Sequence, residues 1–229
     1  MSNDPSYESP VNPLPPVVIA LFVAIMGIEA AFSLGAQNMI GGPGAIGWRS
    51  QAIRDYGFNT EVFSWMWQNR VYPGEHLIRF VSYPFVHGSF TQALFSGAMV
   101  LALGKFVGDV FHGWAVLMLF LLSCIVGAVV YGVIAPGQPY LFGAFPGVYG
   151  LIGGFTYLMW LRLGQMGARQ SRAFTLIGFL LAIQLLFGLI FGVNGWWLAD
   201  LAGFGAGFAM SFVLSPGGFA KLRAKLRHE

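Results

Sequence analysis

The sequence predicts an all-α, polytopic membrane protein, and two observations carry that prediction. Of the 229 residues, 56% are hydrophobic and only 9% are charged, whereas a soluble domain has roughly 25% charged residues. The apolar residues are also collected into long runs, several of which reach the ~20 residues that a helix needs to cross a bilayer. Because so little polar surface cannot coat a water-soluble globule, the lipid bilayer is the solvent for much of the chain.

Six apolar runs are candidates for membrane-spanning helices. They cover residues 17–34, 90–106, 114–134, 146–163, 174–193 and 196–214. The first contains Glu29, the second is interrupted by polar side chains, and the fourth is short and rich in glycine. We therefore expect a six-helix membrane domain over residues 17–214, between a polar segment at 1–16 and a basic tail at 215–229.

The distribution of lysine and arginine sets the predicted orientation. Basic residues lie at the end of the second run (Lys105), at the end of and after the fourth run (Arg162, Arg169 and Arg172) and in the tail, whereas the loops after the third and fifth runs have none. Since short cytoplasmic loops carry an excess of positive charge, both termini are predicted to be cytoplasmic. The compact six-helix form is typical of a bacterial protein, which places the chain in the cytoplasmic (inner) membrane.

The long first loop, residues 35–84, is predicted to be amphipathic. Residues 63–70 place aromatic side chains beside polar ones, a composition that suits a segment lying in the headgroup region. Glu29, shortly before this loop, is expected to lie toward the aqueous end of its helix, with a buried functional carboxylate as the alternative. Long loops follow the charge rule less strictly, so the orientation stands despite four arginines in this loop: Arg49, Arg54, Arg70 and Arg79.

Small residues form stripes on the fourth and sixth runs. Glycines spaced by three or four residues mark one face of the fourth run: Gly143, Gly147, Gly150 and Gly154. In the sixth run, Gly203 and Gly207 lie among alanines. Such stripes let two helix backbones approach closely, so we expect these two helices to pack together. Pro146 suits the first turn of a helix, where no amide donor is needed.

Three stretches of the sequence carry a set of related motifs. Residues 143–150 read Gly-Ala-Phe-Pro-Gly-Val-Tyr-Gly, residues 197–207 end in a glycine-rich helix face, and residues 78–90 contain Arg-Phe and His-Gly-Ser-Phe. Together they resemble the rhomboid family of intramembrane serine proteases, whose fourth helix begins with Gly-x-Ser-Gly-x-x-Tyr-Gly. The resemblance implies the six-helix rhomboid-like bundle and a shared framework: Arg79, His87, Gly143, Tyr149, Gly150, Gly203 and Gly207.

The same resemblance implies where the family's chemistry would sit, and those positions differ here. Phe145 stands where the family has its nucleophilic serine, and Asp200 where it has the base histidine. Pro146 replaces the next glycine and removes an amide, while Gln92 and Ser96 replace the His and Asn that stabilise the oxyanion. A serine protease needs a nucleophile beside a base and donors for the oxyanion. We therefore predict a pseudoprotease and not an enzyme, although the framework alone would class it with serine peptidases.

The remaining polar side chains are expected to be structural, with one exception. Four serines have no histidine at helical spacing and are expected to be back-bonded or interhelical hydroxyls: Ser89, Ser96, Ser123 and Ser211. His87 is expected to anchor the loop before the second helix. Asp200 is the exception, because a carboxylate in an apolar helix is costly. Two interpretations stay open for it: a hydrogen bond to Tyr149, Gln92 or Ser96, or a polar anchor for a partner helix or proton-sensitive switch.

A retained framework without its chemistry favours a membrane binding module. The family admits a transmembrane segment of its substrate through a lateral opening near helices two and five. We therefore expect a binder, stabiliser or assembly factor for transmembrane segments of other membrane proteins. Two alternatives stay open: an intramembrane serine peptidase with a non-standard nucleophile, and a structural subunit of a membrane complex. We expect no cofactor, no metal and no nucleic-acid partner.

Overall fold

The computed structural model describes residues 13–137, 140–191 and 195–215, and the fold of this part is helical apart from one isolated β-bridge. Its α-helices are α1 (Pro16–Ala36), α2 (Trp48–Tyr56), α3 (Thr60–Asn69), α4 (Gly74–Leu77), α5 (Arg79–Ser82), α6 (Phe90–Gly108), α7 (Gly113–Ile134), α8 (Phe145–Gln165), α9 (Thr175–Phe191) and α10 (Trp196–Leu214). Short 3₁₀ helices lie at Pro43–Gly47, Tyr83–Phe85 and Gln170–Phe174. The predicted all-α class is confirmed.

Four of the described helices are long and apolar enough to cross a membrane: α1, α6, α7 and α10. The fourth and fifth predicted runs correspond to α8, with 21 residues, and α9, with 17. Neither of these two meets the same criteria of length and hydropathy. A multi-pass membrane protein is therefore supported, while the count of six spans stays a prediction. The polar segment and the basic tail lie almost wholly outside the described residues.

Helix α8 lies at the centre of the bundle. Every residue from Pro146 to Gly154 is buried, and burial over more than two turns means that the helix is covered on all sides. A Cβ atom added at Gly203 of α10 would meet the backbone of Pro146, and one added at Gly207 would meet the backbone of Gly150. The expected close packing of these two helices is present, and α10 makes it possible by lacking side chains at both positions.

The glycines of α8 face two different neighbours, which corrects the expectation that their stripe faces α10. A Cβ at Gly147 would meet the ring of Phe120 at 2.6 Å, and one at Gly150 would meet Ser123, both on α7. Gly153 faces α10 instead, where a Cβ would lie 2.5 Å from the backbone N of Phe208. Because α8 is packed on all sides, Gly150 contacts two neighbours. Its backbone lies against α10, and Ser123 of α7 fills the space that a side chain at position 150 would occupy.

The first loop is tied to the bundle by two of its arginines. Arg49 forms a bidentate ion pair with Glu29 of α1, with N–O distances of 2.6 and 2.7 Å. Arg79 donates to the carbonyls of Arg54 and Gly57, at 2.7 and 2.9 Å. Glu29 is only 1% exposed, which agrees with the alternative of a buried carboxylate, and the guanidinium of Arg49 contacts it in place of water. Because Arg49 and Arg79 are bonded within the protein, they are weaker indicators of which side of the membrane the first loop occupies.

Helix α3 has the amphipathic form expected of an interfacial segment. Its N-terminus is capped by the side chain of Asn59, which accepts two backbone hydrogen bonds. Phe63 packs on Gly132 of α7, while Trp65 and Trp67 point outward and are 46% and 68% exposed. Tryptophan is favoured where one end of a side chain is apolar and the other is wet. The arrangement fits a helix that lies in the headgroup region.

Candidate functional site

The N-terminal ends of α6, α8 and α10 meet beside α9 around a cavity of about 350 Å³. Five predicted site residues line it: Gln92, Phe145, Pro146, Tyr149 and Asp200. A larger cavity of about 520 Å³ lies between α1, α2 and the segment before α6, but its lining is almost wholly apolar. Binding sites combine apolar walls with a few convergent polar groups, so the smaller cavity is the candidate site.

A glutamine joins the two most buried polar side chains of the cavity. Gln184 of α9 donates from Nε2 to Asp200 Oδ2 at 2.6 Å, and its Oε1 accepts from the Tyr149 hydroxyl at 3.4 Å. Asp200 is 4% exposed and Tyr149 is 6% exposed. The expected direct bond between Asp200 and Tyr149 is therefore replaced by a bridge through Gln184. The network links α8, α9 and α10 at one end of the bundle.

The turn that enters α8 has already used most of its backbone donors. Gly143 has a φ of +96°, a left-handed conformation that favours glycine, and its N–H donates to the carbonyl of Tyr83 at 3.0 Å. The N–H of Ala144 donates to His87 Nε2 at 3.3 Å. Pro146 has no N–H to offer. Three of the four positions from 143 to 146 therefore present no free amide to a molecule in the cavity.

A serine and a histidine are paired close to this turn. Ser96 Oγ lies 2.9 Å from His87 Nε2, and both residues are buried, at 0% and 1% exposure. The Ser96 hydroxyl also lies within 2.7 Å of the carbonyl of Gln92 in its own helix, which confirms the expected back-bonding. His87 approaches Ser96 from the loop before α6 and not along the helix, so helical spacing in the sequence did not indicate this contact.

His87 joins three parts of the molecule. Burial holds the pKa of its ring well below the ordinary value, at about 4, so the ring is neutral at physiological pH. Because Nε2 accepts from Ala144, we assign the ring proton to Nδ1. The His87 carbonyl accepts from Arg49 Nη1 at 2.9 Å, and Arg49 in turn holds Glu29. This geometry suits the anchoring role expected of His87.

The predicted site residues fall into four groups in the structure. The first lines the cavity, as described above. The second lies directly behind it: His87, Ser96 and Gly143. The third forms the contact between α8 and α10: Gly150, Gly203 and Gly207. Arg79 is in a fourth position, where it joins α5 to the end of α2 and does not line the cavity.

Two residues of the site were missed by reasoning from the sequence. Gln184 is a single amide in the apolar fifth run, and the rule that polar side chains in a membrane helix usually face the bundle interior could have identified it. Arg49 was counted only as a loop charge, although it carries the ion pair to Glu29 and the bond to His87. Pairing across 20 or more residues leaves no local signal in one sequence.

The cavity can hydrogen-bond a ligand, but its lining has no nucleophile beside a base. Its single hydroxyl belongs to Tyr149, which donates to Gln184. Asp200 is bonded to Gln184 and not to a hydroxyl, and Phe145 has no nucleophilic atom. Across the described residues, no three side chains of the metal-binding types cluster. Among the described residues, the lining therefore combines apolar walls with two amides, one hydroxyl and one carboxylate.

Comparison with known families gives one match. Residues 74–217 match the family model described as Rhomboid domain, which is well over half of the chain. The matched segment begins at α4 and contains every lining residue of the cavity, whereas Glu29 and Arg49 precede it. No curated protein matches the chain closely enough to count as a relative.

Proposed function

Because the chain belongs to the rhomboid family, we propose that it is a non-catalytic member that binds transmembrane segments of other membrane proteins. It would act in the bacterial cytoplasmic membrane, with both termini in the cytoplasm. The observation that carries the proposal is the lining of the cavity. Phe145 and Asp200 both line it, and the motif resemblance assigns these two positions to the family's nucleophile and base. The cavity that would hold a peptide is retained, while the groups that would cleave it are replaced.

The loss of catalysis is supported by three separate features. A phenylalanine at position 145 has no atom that can attack a carbonyl, and the turn before it holds its amides in internal hydrogen bonds. Among the described residues, Asp200 is hydrogen-bonded to the amide of Gln184 and not to a hydroxyl that it could activate. Loss of one member of a catalytic triad lowers activity by several orders of magnitude. Replacing the nucleophile, the base and an oxyanion donor together leaves no route to hydrolysis.

Retention of a docking path is supported by the position of α9. This helix forms one wall of the cavity through Leu180, Ile183 and Gln184. Among the described residues, the backbone of α9 lies close to the 3₁₀ helix that precedes it and farther from the backbones of α8 and α10. Ile183 lines the cavity and is also 37% exposed. A wall that is held mainly by side chains can move aside for a helix that arrives from the bilayer, and such docking uses packing and polar contacts.

A second candidate function is a peptidase with a relocated nucleophile, and one observation favours it. Ser96 Oγ and His87 Nε2 are 2.9 Å apart, the distance of a nucleophile and its base. Two features argue against it. The pair is buried, and the hydroxyl is back-bonded to its own helix.

Labelling with a serine-reactive fluorophosphonate separates the two functions. We expect no labelling of the protein in native membranes or in mild detergent, with an active rhomboid protease as the positive control. Ser96→Ala is the matched variant, because it removes only the paired hydroxyl. Labelling of the wild type that disappears in Ser96→Ala would establish the relocated nucleophile and refute the proposal.

Photo-crosslinking tests the docking itself. A photoreactive side chain at Ile183 would lie at the outer wall of the cavity, while the same group at Leu122 of α7 would face the lipid elsewhere. The two residues are matched, since both are 37% exposed in the middle of a helix. We expect adducts with membrane proteins at position 183 and not at 122. Equal yields at both positions would contradict docking, and one stoichiometric adduct would indicate a structural subunit.

A further inference from the structure

The carboxylate in the cavity is only partly satisfied by the protein. Among the described residues, the hydrogen bond that reaches Asp200 comes from Gln184 and involves one of its two oxygens, Oδ2. An ionised carboxylate can accept about four hydrogen bonds, and leaving it without a counter-ion in an apolar site is costly. The site therefore has spare capacity for a donor, and most of all for a cation.

The described part of the chain supplies no such cation. Its ion pairs join Arg49 to Glu29, His76 to Glu75 and Lys105 to Asp109, and none involves Asp200. Within the six predicted spans, the basic residues are Lys105 and Arg162, both near the far ends of their helices. A second copy of this chain therefore has no suitable side chain to offer at the depth of Asp200.

The walls of the cavity suit a long side chain that ends in a positive charge. Leu180 and Ile183 are apolar, and the rings of Phe142 and Trp196 pack with centroids 4.8 Å apart. Methylene groups of lysine or arginine pack on such surfaces while the charged end reaches a polar group. The volume of about 350 Å³ is at the low end for ligand sites, so it suits one side chain and not a whole helix.

We propose that the partner is a transmembrane helix that carries a lysine or arginine, which enters the cavity and pairs with Asp200. This inference rests on the proposed function and specifies its partner class. Asp200 is four residues after the start of α10, which is about 6 Å along the helix axis. The basic residue of the partner therefore lies within about two turns of the level at which α6, α8 and α10 begin.

A designed peptide tests the inference without an identified partner. The full-length protein in nanodiscs of zwitterionic phosphatidylcholine is titrated with a labelled single-span Leu/Ala peptide, and binding is followed by energy transfer. One peptide carries a single lysine at the matching depth, and its control carries norleucine, which keeps the stem and lacks the ammonium. We expect the lysine peptide to bind at least about tenfold more tightly, as a charged hydrogen bond permits.

Asp200→Asn is the matched variant, because its amide oxygen can still accept from Gln184. We expect it to lose the preference for lysine and to keep the binding of the norleucine peptide. Equal binding of both peptides to the wild type would overturn this inference and leave the proposed function intact. Binding of neither peptide would overturn both. A preference for lysine that survives in Asp200→Asn would show that another group provides the charge, which also overturns the inference. The comparison of peptides on the wild type does not depend on how the variant folds.

Discussion

The ion pair between Glu29 and Arg49 provides a quantitative test of how the first loop is held. Replacing Arg49 by methionine keeps most of the apolar stem and removes the guanidinium. The carboxylate of Glu29, 1% exposed, would then retain one side-chain donor, the hydroxyl of Ser33 at 2.8 Å. The carbonyl of His87 would lose the same guanidinium. Arg49→Met should therefore strongly destabilise the fold.

The expected magnitude follows from burial. Removing one partner of a buried ion pair costs about 3–5 kcal/mol, because the other charge is left uncompensated. Glu29→Gln should cost less, about 1–3 kcal/mol, because the Arg49 side chain is 21% exposed and keeps its bond to His87. The double variant leaves no unpaired charge, so we expect it to be more stable than the sum of the single losses by about 2 kcal/mol.

Unfolding of the purified protein by denaturant in mixed micelles measures these free energies. Arg54→Met is the matched control, since Arg54 lies on the same helix, is exposed and should change stability by less than about 0.5 kcal/mol. An Arg49→Met variant as stable as Arg54→Met, or single losses that simply add in the double variant, would refute the reasoning.

Three further predictions concern the cavity, the α8–α10 contact and His87. Asp200→Asn should unfold like the wild type, whereas Asp200→Leu should lose about 1–3 kcal/mol because Gln184 loses its acceptor; equal melting temperatures in detergent would contradict this. Gly207→Ala should cost about 1–3 kcal/mol because its methyl meets the α8 backbone, and Gly205→Ala, with nothing within 4 Å, should not destabilise; equal losses would refute the packing. The free energy of unfolding should fall by about 2 kcal/mol from pH 7 to pH 5. The reason is that the pKa of His87 is about 4 in the folded protein and 6.5 ordinarily, so the unfolded chain takes up the proton first. Parallel pH profiles of stability for the wild type and His87→Gln would falsify this.

Hydropathy predicted the helices of the bundle well because each depends on its own sequence. The sixth run was placed at residues 196–214, and α10 covers Trp196–Leu214. The run at 90–106 begins where α6 begins, because Ser89 caps the helix by accepting from the amide of Gln92. The close contact of α8 with α10 was also predictable, since Gly203 is a position where a backbone can approach.

The polar network was not predictable from the sequence, because its members come from distant segments. Glu29 and Arg49 face each other only after the loop has folded back, and no sequence pattern around either residue indicates that the two are paired. Ser96 pairs with His87 through a loop geometry that helical spacing does not describe. Gln184 was overlooked because one amide hardly changes the hydropathy of its run. Side-chain pairing of this kind is decided by tertiary structure and not by periodicity.

The occupied amides at the entry to α8 limit the number of backbone donors that the cavity could provide to an oxyanion. A serine introduced in place of Phe145 would find two neighbouring positions unable to donate to an oxyanion, since the amide of Ala144 is committed to His87 and Pro146 has no N–H. Freeing the Ala144 amide would require displacing the His87 ring, and with it the anchor of the loop before α6. Under the proposed function, a gain of hydrolysis would thus need a nucleophile, a base and a freed oxyanion donor together. On the same proposal, the scaffold is a better starting point for a binder than for a protease.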